Sequence, residues 1–508
     1  MSGRYVVGLD VGTGGARGVL YALDGKEVGT THHGYALLTP RPGWAEQDPE
    51  EIWAAVLRTL SDLAKLVPAG GEVIAIGLSS ILHSFVGADG TGRPVTQSLI
   101  WADTRSHGQV ARLRHELDGQ ATYRRTGCPM HPMYLPGKIS WLREEQPEVF
   151  ARVAWFGSIK DDLIFRLTGR RAVDRSVASG SGLYNFQSES WDAEILAACG
   201  VGPEQLPEIV EPTDVAGGLT SAVAAATGLP SGTPVVAGAG DGVLSSLGSG
   251  AVAPGQMTVM IGTSGAARLP ASQPVVDQLG RTWCYYLAQG TWIAGAAINN
   301  GGLALRWIRE NLTPGREVAS DEWDFATLEA AAEQAPPGAG GLLCLPFLTG
   351  ERAPFWNASA RGILFGLAAH MGPHHVARAG FEGVCYRMLS IVEALDQAAG
   401  PTEEVRATGG FARSRFWLQL LTDILARPMR LPNSPQASAF GAAGLAMIGV
   451  GAATTLAEIA SLVEVEEGPA PNPELNDLYR RVYQLYLDVY WANQASFTAI
   501  AALQEELG

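Results

Sequence analysis

Apolar and polar positions along this chain follow two different periods, which predicts a mixed α/β protein. Short apolar runs that end at glycine, proline, asparagine or aspartate are typical of strands, whereas apolar residues at every third or fourth position are typical of helices. The first pattern predicts strands at residues 4–10, 16–24, 27–38, 72–79, 234–239, 256–261, 342–346 and 404–408. The second predicts helices at residues 49–66, 104–118, 160–168, 301–311, 373–398, 413–426, 436–449 and 475–505. Strands and helices mixed in this way build layered α/β domains.

One strand–turn–strand pattern occurs twice. An apolar strand, Gly-Thr, small residues and Ala-Arg follow one another in "YVVGLDVGTGGARGVL" (5–20) and again in "MTVMIGTSGAARL" (257–269). A dinucleotide fingerprint would need Gly or Ala where Arg17 stands, and a P-loop would need Gly-Lys before Ser or Thr. The hairpin signal Asp24-Gly25 follows the first pattern, so its glycine turn joins strand to strand. Two such turns predict an α/β fold of two actin-like (ribonuclease H-like) lobes, with phosphate-binding hairpins facing a central cleft.

The chain of 508 residues is too long for one ordinary core, which agrees with two lobes. Residues 206–267 contain no Lys or Arg and are broken by prolines. We place the crossing between lobes at residues 246–256, which gives an N-terminal lobe over 1–250 and a C-terminal lobe over 251–508.

Charge and cysteine content limit the kinds of partner that the protein is expected to bind. A net charge of −15 argues against nucleic acid and anionic membrane surfaces, which select for clustered Lys and Arg. The five cysteines are scattered without metal-like spacing, as expected for buried thiols of a cytoplasmic protein. Residues 437–456 carry no charge but are mostly Ala and Gly, so we expect a buried helix and not a membrane span. The sequence leaves the oligomeric state open, a homodimer being one option.

Two aspartates stand where chemistry is expected. Asp10 interrupts a strand that looks buried, and a buried charge costs several kcal/mol without compensation, so a cation is one candidate partner. Asp241 follows the strand at 234–239 and precedes a helix, where it is either a helix cap or a base that takes a proton from an attacking hydroxyl.

Two further stretches indicate ligand binding. The turn at Gly409 and Gly410 allows the backbone to approach a flat ligand closely, and Ser414 after it either caps the next helix or binds a purine. A predicted hairpin over 82–106 gathers His83, an aromatic, a carboxylate and a cation. A lone histidine is more often structural, but this combination suits a polyol, because an aromatic ring covers C–H groups while charged groups bind hydroxyls.

At these residues the chain resembles the FGGY carbohydrate kinases. The resemblance runs in order through "DVGTGGARG", "GWAEQDPEEIW", "WADTRS", "SIKDDLIFRLTG", "GAGDG", "IGTSG", "GERAPFW" and "TGGFARSRFWLQLLTDILARPM". It implies two actin-like lobes, ATP and Mg²⁺, and transfer of the γ-phosphoryl group to a sugar or polyol hydroxyl.

The resemblance also implies roles for individual residues. Asp241 would be the catalytic base, and Asp10 and Asp241 would face the metal. The ATP-binding residues would be Gly12, Thr13, Gly14, Arg17, Gly262, Thr263, Gly409, Gly410 and Ser414. The sugar-binding residues would be His83, Ser84, Trp101, Asp103, Arg105, His131, Lys160, Asp241, Asn299 and Asn300.

Within the family the resemblance is greatest to gluconate kinases, through "RTGCPMHPM", "SIKDDL", "INNGGLALRW" and "GERAPFWN". Gluconate is an anion, so Arg105, His131 or Lys160 would meet its carboxylate. One departure is Tyr134-Leu135-Pro136, where a Ser-Pro-Leu-like stretch is expected, and this keeps a neutral ketose such as xylulose as an alternative. An actin-like ATPase without a sugar substrate is the alternative from another class.

Overall fold

The computed structural model describes residues 3–312 and 325–507. The strands are β1 Arg4–Val11, β2 Gly15–Ala22, β3 Glu27–Gly34, β4 Glu46–Gln47, β5 Glu72–Ser80, β6 Val86–Ala88, β7 Ser98–Leu99, β8 Trp155–Gly157, β9 Ala172–Asp174, β10 Tyr184–Asn185, β11 Ser190–Trp191, β12 Glu208–Val210, β13 Val215–Gly218, β14 Pro234–Gly240, β15 Gln256–Ile261, β16 Gly265–Ala271, β17 Trp283–Ala288, β18 Thr291–Ile298, β19 Leu343–Leu345, β20 Ile363–Phe365, β21 Glu404–Thr408, β22 Met429–Pro432 and β23 Val465–Glu467.

Helices fill the segments between these strands. They are α1 Pro49–Ala64, α2 His107–Glu116, α3 Gly119–Thr126, α4 Leu135–Glu145, α5 Pro147–Phe150, α6 Ile159–Thr168, α7 Arg175–Ser179, α8 Ala193–Cys199, α9 Ser221–Thr227, α10 Asp241–Gly248, α11 Gly302–Leu312, α12 Ala326–Glu333, α13 Pro373–Ala399, α14 Arg415–Leu425, α15 Ala437–Gly449, α16 Leu456–Ser461, α17 Pro473–Ala492 and α18 Gln494–Leu507. Short 3₁₀ turns occur at Pro203–Gln205 and Gly410–Arg413, and Pro337–Gly341 is a turn in which Gly338, Ala339 and Gly340 have positive φ.

The first sheet has the strand order β13-β14-β5-β1-β2-β3. The strands β1, β2 and β3 are antiparallel neighbours, whereas β1, β5 and β14 run parallel. Parallel strands end at the same edge, so the ends of β1 and β14 lie on either side of the end of β5. The register places Asp10 and Ala239 each opposite Ser79. This edge therefore carries the first glycine turn and the start of α10.

The second sheet repeats this arrangement in the order β17-β18-β16-β15-β21-β22-β23. Here β15, β16 and β18 are antiparallel neighbours, and β15, β21 and β22 run parallel. The glycine turn between β15 and β16 thus lies beside the end of β21, which leads into Gly409. The duplication expected from the sequence is present in the strand topology. The hairpin of β17 and β18 was not among the predicted elements.

The uncharged helix α15 shows how the two halves of the chain are joined. Although it comes from the C-terminal half, it packs on β1 and β5 of the first sheet. A Cβ atom on Gly8 would clash with the Ala439 carbonyl, and one on Gly77 would clash with the Ala442 carbonyl. Small residues are therefore needed for this close approach. Within the described residues, no helix is both long and apolar enough to span a membrane.

Most predicted elements are present, with shifted ends. The helix expected over 104–118 begins at His107, and the helix expected over 475–505 is two helices separated at Asn493. The strand expected over 342–346 is only Leu343–Leu345 and pairs with β20 outside both large sheets. All five cysteines are free and buried, as expected.

Candidate active site

The first glycine turn joins β1 to β2 and is braced by side chains. The Tyr35 hydroxyl donates to the Gly12 carbonyl at 2.5 Å, and Gln47 Nε2 donates to the Thr13 carbonyl at 2.6 Å. Within the described part of the chain, the amides of Thr13 and Gly14 have no hydrogen-bond acceptor. Because the carbonyls are held by the protein and these two amides are not, the turn presents donors to an anion.

The second glycine turn, between β15 and β16, is braced by backbone. The amide of Gly301 donates to the Thr263 carbonyl at 3.0 Å, and the amide of Gly302 donates to the Gly262 carbonyl at 2.8 Å. These donors lie at the start of α11, which therefore begins directly behind the turn. As in the first lobe, the amides of Thr263 and Ser264 have no acceptor among the described residues.

Asp10 and Asp241 lie close enough to interact at the edge of the first sheet. Ser79 Oγ donates to Asp10 Oδ1 at 2.6 Å, and the Gly242 amide donates to Asp241 Oδ1 at 2.6 Å. Burial raises the pKa of Asp10, while the Ser79 hydrogen bond and Arg17 lower it. Burial and the charge of Asp10 together raise the pKa of Asp241 to about 6. Two carboxylates that disfavour each other's charge create a place for a cation.

The turn after β21 combines an open backbone with a capped helix. Gly409 has φ of +89°, and a Cβ atom there would lie 2.8 Å from the Ile261 carbonyl oxygen, so this conformation requires glycine. Gly409 and Gly410 are exposed. Ser414 Oγ accepts from the Trp417 amide at 3.0 Å, so it caps α14, the first of the two roles that the sequence left open.

His83 lies in the cleft as a neutral ring. Its Nδ1 is 2.8 Å from the Gly180 carbonyl, which can only accept, so Nδ1 carries the proton. Burial lowers the pKa of His83 to about 3. The other nitrogen, Nε2, lies 3.5 Å from the Tyr285 hydroxyl. It is therefore an acceptor that a substrate hydroxyl can use.

A fully buried lysine, Lys138, fixes the backbone around His83. Its ammonium donates to the carbonyls of His83 at 2.5 Å, Ile100 at 2.9 Å and Leu99 at 3.2 Å. His83 has φ of +64°, which is strained for a residue other than glycine. Lys138 thus ties this strained residue to the strand end that leads into Trp101. Lys138 was not among the predicted site residues, because its three acceptors are distant from it in sequence.

Arg352 enters the cleft from the second lobe. Its Nε donates to Asn299 Oδ1 at 2.7 Å, and its Nη2 donates to the Ile298 carbonyl at 3.2 Å. The guanidinium lies 5.5 Å from the centroid of the Trp101 ring. Among the described residues, no carboxylate is within ion-pair distance of Arg352. The motif "GERAPFW" contains this residue, but the sequence alone did not assign it to the site.

The two asparagines predicted to bind sugar support the loop that carries Arg352. Asn299 accepts from Arg352, as described, and Asn300 Nδ2 donates to the Gly350 carbonyl at 2.8 Å. Behind them Glu351 pairs with Arg387 at 3.1 Å, and both side chains are fully buried. These contacts hold the loop in place. Asn300 therefore contributes by positioning the loop that carries Arg352.

His131 and Trp101 face the same cleft. The Met133 amide donates to His131 Nδ1 at 3.2 Å, so the proton of the neutral ring lies on Nε2. Burial and Arg352 lower the pKa of His131 to about 4. Its ring lies 5.5 Å from that of Trp356 in the second lobe. Trp101 Nε1 is 3.3 Å from Thr13 Oγ1, which links the predicted sugar site to the first glycine turn.

Four predicted sugar-binding residues have other partners in the structure. Asp103 accepts from the Ala45 amide at 2.7 Å and pairs with Arg105, which also pairs with Glu46 at 2.6 Å. The Arg105 guanidinium lies 3.5 Å from the centroid of the Trp44 ring and lines a separate cavity of about 600 Å³.

Lys160 and Ser84 are likewise engaged inside the first lobe. The ammonium of Lys160 pairs with Asp174 at 2.8 Å, and both side chains are buried. Ser84 Oγ accepts from the Ile159 amide at 3.1 Å. Buried carboxylates thus already pair with Arg105 and Lys160, and the expectation that one of them meets a substrate carboxylate stays a prediction.

Comparison with known proteins agrees with this geometry. The N-terminal domain pattern of the FGGY family of carbohydrate kinases matches residues 5–248, and the C-terminal domain pattern matches residues 257–450. A gluconokinase from Bacillus licheniformis is 36% identical over 99% of this chain and 99% of its own.

Two solved structures from Lactobacillus acidophilus superimpose closely. A gluconate kinase gives a TM-score of 0.93 at 33% identity, and a ligand-bound xylulose kinase gives 0.93 at 34% identity. Each comparison covers 98% of this chain and 100% of the other. The predicted α/β fold of two actin-like lobes is confirmed, and the chain belongs to the FGGY family of carbohydrate kinases.

Proposed function

We propose that this carbohydrate kinase transfers the γ-phosphoryl group of ATP to gluconate and forms 6-phosphogluconate. The gluconokinase relative and the gluconate kinase structure support this substrate. The observation that carries the proposal is Arg352, a cation in the cleft whose hydrogen-bond acceptors are both neutral. A charge-assisted hydrogen bond from it to the substrate carboxylate would contribute roughly 1.5–3 kcal/mol.

The reaction joins three parts of the cleft. ATP phosphates bind between the two glycine turns, with adenosine against Gly409 and Gly410, and the sugar binds beside His83 and Trp101. The substrate hydroxyl oxygen attacks the γ-phosphorus, its proton passes to Asp241, and the bond from the γ-phosphorus to the bridging oxygen breaks to release ADP. Such transfer depends mainly on positioning and electrostatics, so a carboxylate suffices as base.

Asp10 and Asp241 suit a magnesium ion. Mg²⁺ binds hard oxygen ligands and in phosphoryl-transfer sites uses one or two carboxylates together with phosphates and water. The mutual effect of the two buried carboxylates would be relieved by a divalent cation between them and the phosphates. When bound, the ion would neutralise charge on the phosphate oxygens. No group of three His, Cys, Asp or Glu residues in the described ranges forms a metal site by itself.

Each lobe would then supply part of the site. Residues 1–250 would provide the first turn, the base and most sugar contacts, and residues 251–508 would provide the second turn, the adenosine turn and Arg352. His131 Nε2–H is a second donor for the substrate, and the neutral ring suits a hydroxyl better than a carboxylate. Closure of the lobes would assemble the site and exclude water.

A coupled assay that follows ADP release across gluconate, xylulose, ribulose and glycerol tests the proposal. We expect the highest kcat/KM with gluconate, and 6-phosphogluconate as its product. A wild-type preference for xylulose would overturn the sugar-acid assignment and leave the kinase intact. ATP hydrolysis unaffected by any of these sugars would instead favour an actin-like ATPase.

A further inference from the structure

The arginine of the second Ala-Arg, Arg268, was not among the predicted site residues but lies in the cleft. Arg268 lies on β16, and its side chain is only 8% exposed. In the part of the chain that the structure describes, the guanidinium of Arg268 makes no hydrogen bond and no ion pair, and its Nε is enclosed without a partner. Burial of a guanidinium without hydrogen-bond acceptors costs free energy. An anionic or carbonyl oxygen is therefore expected to accept its hydrogen bonds.

Arg268 reaches across the cleft to the predicted base. A Cβ atom on Gly242 would lie 3.2 Å from Arg268 Nη2 and 3.3 Å from its Nε. Burial lowers the pKa of Arg268, and the charge of Asp241 acts in the opposite direction. The guanidinium therefore lies against the start of α10, next to Asp241, without forming an ion pair with it.

The arginine of the first Ala-Arg, Arg17, differs from Arg268 in having a partner. It lies one position nearer to its Gly-Thr turn than Arg268 does, and its Nη1 donates to Gln436 Oε1 at 2.6 Å. Arg352, the other cation of the cleft, also lowers the pKa of Arg268, so the two guanidiniums repel each other. Two like charges facing one cleft are best compensated by an anion that arrives from outside the protein.

We propose that Arg268 is a catalytic residue that donates hydrogen bonds to the transferring γ-phosphoryl group. The inference rests on the proposed kinase reaction, in which the attacking hydroxyl and the γ-phosphorus meet at Asp241. Charge spreads over the phosphoryl oxygens in the transition state, and a guanidinium stabilises it there. β16 belongs to the second lobe and Asp241 to the first, so the guanidinium and the base that meet at the start of α10 come from different lobes.

The test is Arg268→Met, with Arg268→Lys as the charge-conserving variant and Arg430→Met as the control. Arg430 lies on β22 of the same sheet and pairs with Glu404 and Glu467, and none of these three is a predicted site residue. We expect Arg268→Met to lower kcat about 100-fold or more, as for loss of one oxyanion donor. The KM values for gluconate and ATP should change less than about threefold, because the bond forms in the transition state. Arg268→Lys should recover part of the rate, and the control should match the wild type.

A binding measurement separates this inference from the proposed function. Melting temperatures are recorded with magnesium and ADP, alone and with aluminium fluoride as a mimic of the transferring group. The wild type should gain extra stabilisation from aluminium fluoride, and Arg268→Met should lose that gain while it keeps the stabilisation by ADP. A wild type that phosphorylates no sugar but shows this difference would sink the proposed function and leave the inference standing. If Arg268→Met raised the KM for the sugar and left kcat normal, the inference would be overturned. Unchanged kinetics of this variant, or an unchanged stabilisation by aluminium fluoride, would overturn it as well.

Discussion

The two glycine turns share a backbone plan but are held in different ways. Side chains brace the first turn, since Tyr35 and Gln47 donate to its carbonyls. Backbone amides brace the second turn, since Gly301 and Gly302 at the start of α11 donate to its carbonyls. In both turns the next two amides have no acceptor in the described part of the chain. Duplication has thus preserved the amide donors, while the bracing has diverged.

The arginines that follow the turns differ as well. Arg17 is hydrogen-bonded to the C-terminal half of the chain, whereas the Arg268 side chain has no hydrogen-bond or ion-pair partner among residues 3–312 and 325–507, and its Nε is enclosed. The first lobe also provides the carboxylates Asp10 and Asp241, and the second provides the guanidiniums Arg268 and Arg352. The lobes are therefore alike in their glycine turns and opposite in the sign of the charges that they bring to the cleft.

The largest loss of activity is expected when a carboxylate of the first lobe, Asp241, is changed. Asp241→Asn keeps the shape of the side chain but removes the proton acceptor. We expect kcat to fall about 10²–10⁴-fold, the usual contribution of a positioned base, with the melting temperature nearly unchanged. Asp48→Asn is the control, because Asp48 caps α1 outside the cleft and asparagine also caps. A variant that keeps more than about a tenth of wild-type turnover would show that Asp241 is not the base.

The glycine turn between β15 and β16 should be displaced by a side chain added at Gly301, behind the turn. A Cβ atom on Gly301 would lie 2.7 Å from the Ser264 carbonyl oxygen and 3.1 Å from that of Gly262, so Gly301→Ala must displace the turn. Misplacement by about 1 Å can cost about 100-fold in rate, so we expect kcat/KM for ATP to fall at least about tenfold.

The control for this change is Gly108→Ala in α2, where a Cβ atom meets nothing within 4 Å. It should not weaken activity. If Gly301→Ala had the same KM for ATP as the wild type, the backbone at the start of α11 would not control the position of the second glycine turn.

The pH profile tests the charge of the first-lobe carboxylates. The pKa of Asp241 is raised to about 6, so its carboxyl group is protonated below that pH and cannot accept a proton. Plotted against pH, log kcat/KM should therefore fall with unit slope below about 6 and be flat above it. The pKa of His83 is lowered to about 3, so the same step should remain in His83→Asn. A profile that stays flat down to pH 5 would contradict this assignment.

The smallest expected effect concerns the bracing of the first turn. Gln47→Leu removes one donor to the Thr13 carbonyl, and a single hydrogen bond contributes about 0.5–1.5 kcal/mol. We expect KM for ATP to rise about 2- to 10-fold with the sugar KM nearly unchanged. Gln97→Leu, a change of the same kind in a residue that lines the separate cavity, is the control. If KM for ATP did not change, side-chain bracing of this turn would have no part in binding.

Local pattern was enough to predict the repeated turns and the two aspartates. Asp10 and Asp241 each stand at the end of an apolar strand, and parallel strand ends share an edge. The sequence also predicted that residues 437–449 are a buried helix, because Ala and Gly without charge suit close packing. It could not predict that this helix covers the first sheet, since that contact joins distant parts of the chain.

The cations of the site were the least predictable part. Arg105 and Lys160 look free in the sequence, yet folding pairs them with Glu46, Asp103 and Asp174 in the interior. Arg352 and Arg268 reach the cleft only because the second lobe lies against the first. A repeated Ala-Arg was visible in the sequence, but which of its two arginines lacks a partner depends on tertiary contacts.

Arg352→Gln shows whether the guanidinium that enters from the second lobe binds the carboxylate of the substrate. The measurement is kcat/KM on gluconate and on xylulose for the wild type, Arg352→Gln and Arg352→Lys. We expect Arg352→Gln to lose at least about tenfold on gluconate, to lose much less on xylulose, and Arg352→Lys to lie between. Equal losses of Arg352→Gln on both sugars would contradict the account.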